Sequence, residues 1–265
     1  MFSLFKKRIP KLNASYLREK CGQSVVTFRS VTSTNAILKE YAKQDAPDHT
    51  VVVAEAQTEG RGRGEHSFFS PLGTGVYLSI LLRYGERSFR PADITAAAGV
   101  AACEAIERLS DSECRIKWMN DVYIDGKKVA GILAESGRME EKSYHKGSFV
   151  VVGVGFNLTA PEGDFPLEFR SRAGVIYKES APRYAREKLV NAFVTALLRI
   201  LSRDSFSLYG AYRDRLFILG KRVEYGGREA LVSELHSDFR LELTFDDGSH
   251  ALLDSGEVSL CQTVE

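Results

Sequence analysis

The sequence predicts an α+β fold that ends in a small β-barrel. Apolar runs of strand length recur between residues 24 and 158, amphipathic helical patterns occupy 90–109 and 183–203, and five short strand patterns follow residue 219. A chain of 265 residues is long enough for one large domain and one small domain. We therefore predict two units, 1–216 and 217–265.

The composition is that of an ordinary globular protein, with 44% hydrophobic and 10% aromatic residues. The 36 basic and 35 acidic residues leave a formal charge of +1, so any anion must be bound locally and no overall field attracts nucleic acid or a membrane. The sequence has no run of about 18 apolar residues, and its start is unlike a signal peptide because the charges follow the apolar residues. Four cysteines without a CxxC spacing predict reduced, mostly buried thiols and a cytoplasmic protein.

The first predicted elements are a short helix or ordered lead-in within residues 1–20, a strand at 24–28 and a helix that begins near residue 33. The hydroxyl residues Ser33 and Thr34 precede apolar residues at helical spacing, which suits the N-cap position. Both hydroxyls could serve only as caps. Alternatively, one could cap while the other faces a ligand, because a helix N-terminus also attracts anions.

A glycine-arginine segment, residues 57–64, joins apolar strand patterns at 51–54 and 76–82. Its glycines permit positive φ angles and a close approach of the backbone to a ligand. Arg61 and Arg63 present planar guanidinium groups that match carboxylate or phosphate oxygens in pairs. The segment therefore predicts a loop that closes over an anion, although a solvated arginine-glycine turn would have the same pattern.

The next feature is a β-hairpin with the turn Asp125-Gly126 between apolar segments at 114–124 and 127–135. A glycine within a strand indicates a close approach by backbone or ligand. The first arm is predicted to carry Lys117, Asn120 and Asp121, and the second arm Lys128 and Gly131. Lysines beside a hairpin turn are often simply solvated, so we expect either Lys127 or Lys128 to be a surface residue.

The strand pattern at 148–158 ends in Gly153, Gly155 and Asn157, which predicts either a bulged strand or a strand end where a planar group is recognised. A loop is predicted for 159–174. After the second long helix, the five short strand patterns are separated by glycine- and aspartate-rich turns, which is typical of a small barrel.

Five segments of the sequence, in order, resemble the motifs of the biotin protein ligases. These segments are Ser33-Thr34-Asn35 and residues 57–63, 117–121, 128–133 and 153–157. The resemblance implies a class II synthetase-like catalytic domain with a mixed, largely antiparallel sheet and packed helices, followed by an SH3-like C-terminal domain. It also implies that ATP, with Mg²⁺, activates the substrate biotin, which is then transferred to a lysine of a biotin carboxyl carrier protein.

The resemblance also implies roles for individual residues. The catalytic residues would be Lys128, Arg63, Lys117 and Asp121. Biotin would be bound by Ser33, Thr34, Asn35, Gln57, Gly60, Arg61, Gly62, Arg63, Lys128, Gly131 and Gly153. ATP or the adenylate would be bound by Arg61, Arg63, Phe68, Asn120, Asp121, Lys128, Gly155 and Asn157. No direct protein site for Mg²⁺ is implied.

The residues suit this chemistry on physical grounds as well. A carboxylate that attacks a polyphosphate needs cations that screen the repulsion and the charge that develops on the α-phosphate. Arg61, Arg63, Lys117 and Lys128 are four such cations on three segments. The resulting mixed anhydride is sensitive to water, so we expect the loop at 60–69 to cover it.

Two features differ from many members of the family. Glu65-His66 occupies loop positions where glycine and arginine are frequent, and only some thirty residues precede Thr32, which predicts a ligase without a DNA-binding repressor domain. Two alternatives remain open: a lipoate or octanoate ligase or transferase of related fold, and a non-catalytic regulator that binds RNA or a protein. The balanced charge argues against nucleic acid. We expect a monomer or homodimer with no nucleic-acid or membrane partner.

Overall fold

The computed structural model describes residues 11–64, 66–140, 143–256 and 258–261. Its helices are α1 (Ala14–Cys21), α2 (Thr34–Lys43), α3 (Pro91–Glu107), α4 (Leu167–Arg170), α5 (Ala185–Leu201) and α6 (Ser205–Arg213). Its strands in the first part of the chain are β1 (Val25–Phe28), β2 (Val51–Ala54), β3 (Gly75–Gly85), β4 (Arg115–Lys117), β5 (Asp121–Ile124), β6 (Lys127–Arg138) and β7 (Ser148–Asn157). The remaining strands are β8 (Arg222–Tyr225), β9 (Arg228–Leu235), β10 (Leu241–Phe245), β11 (His250–Leu253) and β12 (Ser259–Leu260).

The first seven strands form one mixed sheet in the order β1-β2-β3-β7-β6-β5-β4. Only the β1–β2 pair is parallel, and the other five pairs are antiparallel. The central strands β3, β7 and β6 are also the longest, with 11, 10 and 12 residues. The predicted α+β class with a mixed, largely antiparallel sheet is therefore confirmed.

The two faces of this sheet are covered differently. The main core contains the even-numbered residues of β3 and β7, namely Val76, Leu78, Ile80, Leu82, Val150, Val152, Val154 and Phe156. Helices α3 and α5 pack on this face. On the opposite face, α2 packs over a smaller apolar cluster that includes Val52, Leu81 and Val151. Beyond the N-terminus of α2, that face continues into the residues described below as a cleft.

The C-terminal strands form a separate antiparallel sheet in the order β11-β10-β9-β8-β12. A buried hydrogen bond joins it to the large sheet, because Trp118 Nε1 donates to the carbonyl oxygen of Phe239 at 2.8 Å. The chain between the two sheets also pairs with β4, since the amide of Phe217 donates to the carbonyl of Ile116. The C-terminal sheet thus contacts the turn between β4 and β5.

The arm predicted as one strand over 114–124 is instead two antiparallel strands, β4 and β5, joined by a turn at 118–120. The apolar pattern does not reveal this turn, because Trp118 and Met119 are themselves buried within it. Helix α6 was not predicted, and its sequence SFSLYGAYR contains two serines and a glycine, which are weaker helix formers than alanine or leucine. Asp204 nevertheless caps it by accepting a hydrogen bond from the Ser207 amide.

Three of the four cysteines, Cys21, Cys103 and Cys114, are buried, as predicted. Among the described residues, no helix is long and apolar enough to cross a membrane. The first ten residues and Glu65 lie outside the described residues, as do predictions that concern them.

Candidate active site

The floor of the candidate site is a strip of glycines in the centre of the large sheet. Gly131 of β6 pairs with Gly155 of β7, and Gly153 of β7 pairs with Ser79 of β3. Directly paired residues point to the same face, and these three glycines contribute no side chains to it. The strip can therefore accept a flat group in direct contact with the backbone.

What lies over the glycines explains why larger residues would not fit. A Cβ on Gly153 would be 2.2 Å from Asn35 Oδ1, and a Cβ on Gly155 would be 2.3 Å from Phe68 Cε1. A Cβ on Gly131 would be 3.1 Å from both Phe68 Cε2 and Lys128 Cε. The prediction of a close approach at Gly131 is thus confirmed, and the approaching groups are two of the predicted site residues.

A β-bulge directs Lys128 towards this strip. The pairing of β5 with β6 runs Asp121↔Gly131 and Val122↔Ala130, and then shifts to Tyr123↔Lys128. Without the shift, Val129 would occupy the face that carries Gly131, whereas Val129 is in fact fully buried on the other side. The extra residue re-aims Lys128 to the site face. Lys128 Nζ then lies 3.2 Å from the position of a Cβ on Gly131.

Lys128 forms an ion pair with Asp121, with Nζ 2.7 Å from Oδ1. The two side chains are 27% and 21% exposed, so the pair is neither buried nor fully solvated. Lys117 of β4 pairs with Asp121 in the sheet register and shares its face. Two ammonium groups and one carboxylate therefore occupy the same row as the glycine strip, Lys117–Asp121–Gly131.

The N-terminus of α2 forms one wall. Ser33 occupies the N-cap position but makes no side-chain hydrogen bond to the helix. Instead, Gln57 Oε1 accepts from Thr34 N at 2.8 Å and from Thr34 Oγ1 at 3.1 Å. Gln57 Nε2 donates to Ser70 Oγ at 3.0 Å. Gln57 therefore ties the start of α2 to the end of the glycine-arginine loop, and it takes over the capping that the sequence had suggested for Ser33.

A polar network lies behind this wall. Asn35 Nδ2 donates to Glu135 Oε2 at 2.7 Å and to the carbonyl of Leu133 at 3.2 Å, while Ser79 Oγ lies 2.6 Å from Asn35 Oδ1. Burial favours the neutral form of Glu135, but hydrogen bonds from Lys39 and Asn35 outweigh it and hold the pKa of Glu135 below its ordinary value. Asn35 is 4% exposed, and both the nitrogen and the oxygen of its side-chain amide are hydrogen-bonded. It is therefore suited to hold the start of α2 in position.

The glycine-arginine loop is itself a small hairpin. Phe68 N donates to Gly60 O at 2.8 Å, and Gly62 N donates to His66 O at 2.7 Å. Among the loop glycines only Gly64 has a positive φ, +59°. Gly60 is required by space instead, because a Cβ there would lie 2.3 Å from Phe68 O. Of the three loop glycines, Gly64 alone therefore adopts the positive φ that was expected to be the reason for glycine in this loop.

This hairpin brings an arginine and a phenylalanine to the glycine strip. Arg61 and Phe68 both line the cleft. The Phe68 ring lies edge-on to Tyr77, with centroids 6.3 Å apart, and Lys128 Nζ is 5.8 Å from its centroid. Phe68 therefore rests on the glycine strip beside the candidate catalytic lysine.

Two predicted amides have different surroundings. Asn120 Nδ2 donates to Ile132 O at 2.9 Å, and Ile132 N returns a hydrogen bond to Asn120 O. This exchange secures the β4–β5 turn to β6. Asn157, at the end of β7, is half-buried, and its Nδ2 lies 3.5 Å from the carbonyl of Lys128.

The structure brings most of the predicted residues together around the cleft. Its lining includes Ser33, Thr34, Asn35, Gln57, Arg61, Phe68, Gly131, Gly153 and Gly155. Lys128, Asp121 and Lys117 lie beside Gly131, as described above. Gly60, Gly62 and Arg63 belong to the loop hairpin, and Asn120 and Asn157 flank the site at strand ends. The individual roles of all these residues remain predictions.

Sequence reasoning missed four residues that complete the site. Leu133 and Val154 line the cleft, and Ser79 and Glu135 hold Asn35 in place. The sequence contained a signal for Ser79, because Ser79 and Tyr77 are the two residues with a hydroxyl group in the apolar run 76–82. A fully buried hydroxyl needs a partner, so Ser79 could have been recognised as part of a polar network.

The chain has clear relatives among known sequences. The profile of the Biotin/lipoate A/B protein ligase family matches residues 27–157. The chain is 37% identical over 233 residues to Biotin--[acetyl-CoA-carboxylase] ligase of Mycobacterium tuberculosis, which covers 83% of this chain and 82% of that protein. It is 32% identical over 189 residues to Bifunctional ligase/repressor BirA of Bacillus subtilis, and that match covers 69% of this chain and 57% of the relative. The matched region thus spans a little over half of the Bacillus protein.

Solved structures show the same fold. Biotin protein ligase from Aquifex aeolicus in complex with biotin and ATP aligns with a TM-score of 0.70 at 25% identity, over 91% of this chain and 99% of that one. Biotin protein ligase from Leishmania major in complex with biotinyl-5-AMP aligns with a TM-score of 0.58 at 22% identity, over 88% and 99% of the chains, which indicates the fold alone. The resemblance inferred from the five sequence segments is confirmed: the chain belongs to the biotin/lipoate A/B protein ligase family.

Proposed function

We propose that this protein is a biotin protein ligase that activates biotin with ATP and transfers the biotinyl group to a lysine of a biotin carboxyl carrier protein. The observation that carries the proposal is the bulge that turns Lys128 onto the glycine-floored face, where it meets Asp121 at 2.7 Å. The name of the Mycobacterium relative, an acetyl-CoA-carboxylase ligase, supports a carboxylase carrier as the acceptor. The near-balance of charge and the free thiols suit a cytoplasmic enzyme.

Biotin fits the strip between the α2 wall and the loop. Its fused rings and aliphatic chain would lie along the row of Gly153 and Gly131, which contribute no side chains of their own, beside Asn35, Phe68 and Lys128. Ser33 has a hydroxyl that is not used in capping the helix, and with Thr34 and Gln57 it offers hydrogen bonds to the polar ring of biotin. The carboxyl end would then point along the strip towards Lys128.

In the first reaction, an oxygen of the biotin carboxylate attacks the α-phosphorus of ATP. A new carbon–oxygen–phosphorus linkage forms, the bond from the α-phosphorus to the bridging oxygen breaks, and diphosphate leaves with the bond electrons. Two anions must approach each other, so fixed cations are the main contribution that a protein can make. Lys128 would bridge the carboxylate and the α-phosphate, with Lys117 and the loop arginines Arg61 and Arg63 beside them.

Mg²⁺ is expected with ATP. This ion prefers oxygen ligands, keeps several waters and commonly binds through substrate phosphates with few carboxylates. Asp121 is a carboxylate in the right place, but Lys128 already pairs with it and Lys117 lies opposite. This donor set suits an ion that arrives on the ATP phosphates better than one held by the protein in advance. When bound, the ion would supply further neutralisation of phosphate charge.

In the second reaction, the uncharged amine of the acceptor lysine attacks the acyl carbon. An amide bond forms, the bond to the phosphate oxygen breaks, AMP leaves, and one proton passes from the nitrogen to a base. Water must stay away from the mixed anhydride until the amine arrives. The loop hairpin and Phe68, which rests over Gly155 and Gly131, are suited to cover it, and Asn157 lies at the strand end where the adenine would be recognised.

The test is the dependence of ATP–diphosphate exchange on the acid supplied. We expect exchange with biotin and none above background with lipoate or octanoate. A biotin carboxyl carrier domain incubated with the protein, ATP, Mg²⁺ and biotin should gain one biotinyl group, detected by intact mass. Exchange driven by lipoate or octanoate instead would identify the alternative acyl ligase, and the absence of exchange with all three acids would contradict the proposal and favour a transferase that does not use ATP or a non-catalytic protein.

A further inference from the structure

A second cluster of chemically active side chains lies on the C-terminal sheet, away from the cleft. Glu242 of β10 pairs with Glu234 of β9 in the sheet register. His236 follows β9 directly, and His250 begins β11. His236 Nε2 lies 2.8 Å from Glu242 Oε2, and His250 Nδ1 lies 3.0 Å from Glu242 Oε1. Two imidazoles and two carboxylates therefore converge from three adjacent strands.

The donor atoms are close enough to share one ion. Those of Glu234, His236 and Glu242 lie within 4.8 Å of one another. Zinc binds imidazole nitrogen and carboxylate oxygen at about 2.0–2.2 Å, so donors around one tetrahedral ion are separated by roughly 3.3–3.6 Å. Small side-chain rotations would bring all three to that separation. His250 lies outside this group and contacts the other carboxylate oxygen of Glu242, so its side chain would have to move further to provide the fourth ligand.

The backbone beneath the cluster is fixed. His236 N donates to Arg240 O at 2.9 Å, and Phe239 N donates to His236 O at 2.9 Å, which closes the turn between β9 and β10. On the other face of the sheet, Leu235, Leu241 and Leu243 are buried. The ligand side chains therefore extend from rigid strands, so ordering them around an ion would cost little free energy.

The ordinary explanation is a pair of surface histidine–carboxylate contacts. That explanation leaves Glu234 and Glu242 opposite each other across the strand pair, an arrangement in which like charges repel. A cation between them removes the repulsion. The combination of imidazole and carboxylate ligands favours zinc and its neighbours among the divalent transition metals over magnesium or calcium.

We propose that the C-terminal sheet binds one divalent transition-metal ion of the zinc class through Glu234, His236, Glu242 and His250. The site is independent of the ligase reaction. The ion would link β9, β10 and β11, and so stabilise the small sheet by binding the folded chain in preference to the unfolded one.

The experiment uses the full chain after treatment with a chelator. Zn²⁺ is titrated against a chromophoric chelator, and Co²⁺ is added separately to record its visible absorption spectrum. We expect one Zn²⁺ per chain, a Co²⁺ spectrum of a four- or five-coordinate site, and an increase of a few degrees in the thermal unfolding midpoint with Zn²⁺. The variants His236→Gln and Glu242→Gln should each weaken binding about tenfold or more, by analogy with the sensitivity of metal sites to the loss of a supporting contact.

Two matched controls address other sources of binding. His49→Gln alters a surface histidine that also neighbours a carboxylate, with Nε2 3.4 Å from Asp48 Oδ2, and should bind Zn²⁺ like the parent. Cys261→Ser tests the half-buried thiol and should also match the parent. If His236→Gln does not fold, His250→Gln and its Co²⁺ spectrum provide the same test. The proposal is overturned if the parent binds less than one equivalent, or if the cluster variants retain the affinity of the parent.

Discussion

Lys128→Met should reduce biotin-dependent ATP–diphosphate exchange by about 10²–10³-fold, the usual effect of removing one preorganised charge from a transition state. Methionine keeps the length and apolar stem of the side chain but removes the ammonium group. The loss corresponds to about 2.7–4 kcal/mol of transition-state stabilisation. We expect this large effect because the bulge at Val129 aims Lys128 Nζ over Gly131 at the centre of the site.

The substitution also removes the partner of Asp121. The ion pair is 2.7 Å long, and its side chains are 27% and 21% exposed. The Asp121 side chain is partly exposed although its Oδ1 is buried, so the cost should fall between those of exposed and buried pairs, about 1–3 kcal/mol. Because domains of this kind are stable by about 5–15 kcal/mol, the variant should stay folded. A thermal melt checks this before any rate is compared.

Lys127→Met is the matched control. Lys127 is adjacent in sequence, exposed, and directed outwards, where its Nζ donates to the carbonyl of Ser171. It should exchange diphosphate at nearly the rate of the parent. If a folded Lys128→Met protein also stays within a few-fold of the parent, Lys128 is a surface lysine and the reasoning from the bulge is wrong.

The double variant Lys128→Met/Asp121→Asn separates two roles for Asp121. If Asp121 only positions Lys128, Asp121→Asn should slow exchange in the parent and cause no further loss in Lys128→Met. If Asp121 acts independently on the nucleotide or the acceptor amine, the two losses should add in free energy. Measuring exchange and carrier labelling on the same four proteins distinguishes the two outcomes.

Three further predictions concern the loop, the floor and the contact between the sheets. The Arg63→Gly protein should still consume ATP and biotin, but it should label serum albumin as well as the carrier. The reason is that charge-assisted hydrogen bonds from Arg63, worth about 1.5–3 kcal/mol each, would no longer retain the adenylate. Carrier labelling at the parent's rate with unlabelled albumin would contradict this. Gly155→Val should displace Phe68, 2.3 Å from the new Cβ, and weaken ATP binding measured by calorimetry, whereas an unchanged affinity would remove Gly155 from the site. Trp118→Phe removes the indole N–H that donates to the buried carbonyl of Phe239. It should lower the free energy of unfolding, measured by denaturant titration, by about 1–3 kcal/mol. Equal stability would show that water replaces the lost donor.

Much of the fold could be predicted because its signals are local. The strands at 51–54 and 148–157 consist mainly of apolar residues and glycine, and they are buried on both faces or nearly so. The turn Asp125-Gly126 has positive φ at both residues, +50° and +71°, as the hairpin signal requires. Such features depend on a few neighbouring residues, so the sequence displays them directly.

The features that failed to be predicted depend on residues distant in the chain. The division of β4 from β5 is stabilised by Phe239, 121 positions away from Trp118. The face of Lys128 depends on a register shift against β5, and counting alternate residues from Gly131 would have placed Val129 there instead. Asn35 binds Glu135 across 100 positions. The sequence could thus name candidate residues that the fold places near one another, but not which of them hold the others in place.

The contact between the two sheets changes how the role of the C-terminal unit should be tested. Trp118 and Asn120 belong to the same turn, Tyr212 OH donates to Met119 O at 3.1 Å in that turn, and the Tyr212 ring meets Phe239 edge-on at 5.3 Å. A truncation near residue 219 would remove Phe239, and with it the support of the turn that precedes Asp121. If the C-terminal sheet also helps to dock the carrier protein, loss of activity in such a truncation could not be assigned to that role. Trp118→Phe keeps the C-terminal sheet intact, so a fall in exchange with unchanged biotin affinity would indicate that the sheet acts through the turn, whereas a fall only in carrier labelling would indicate docking.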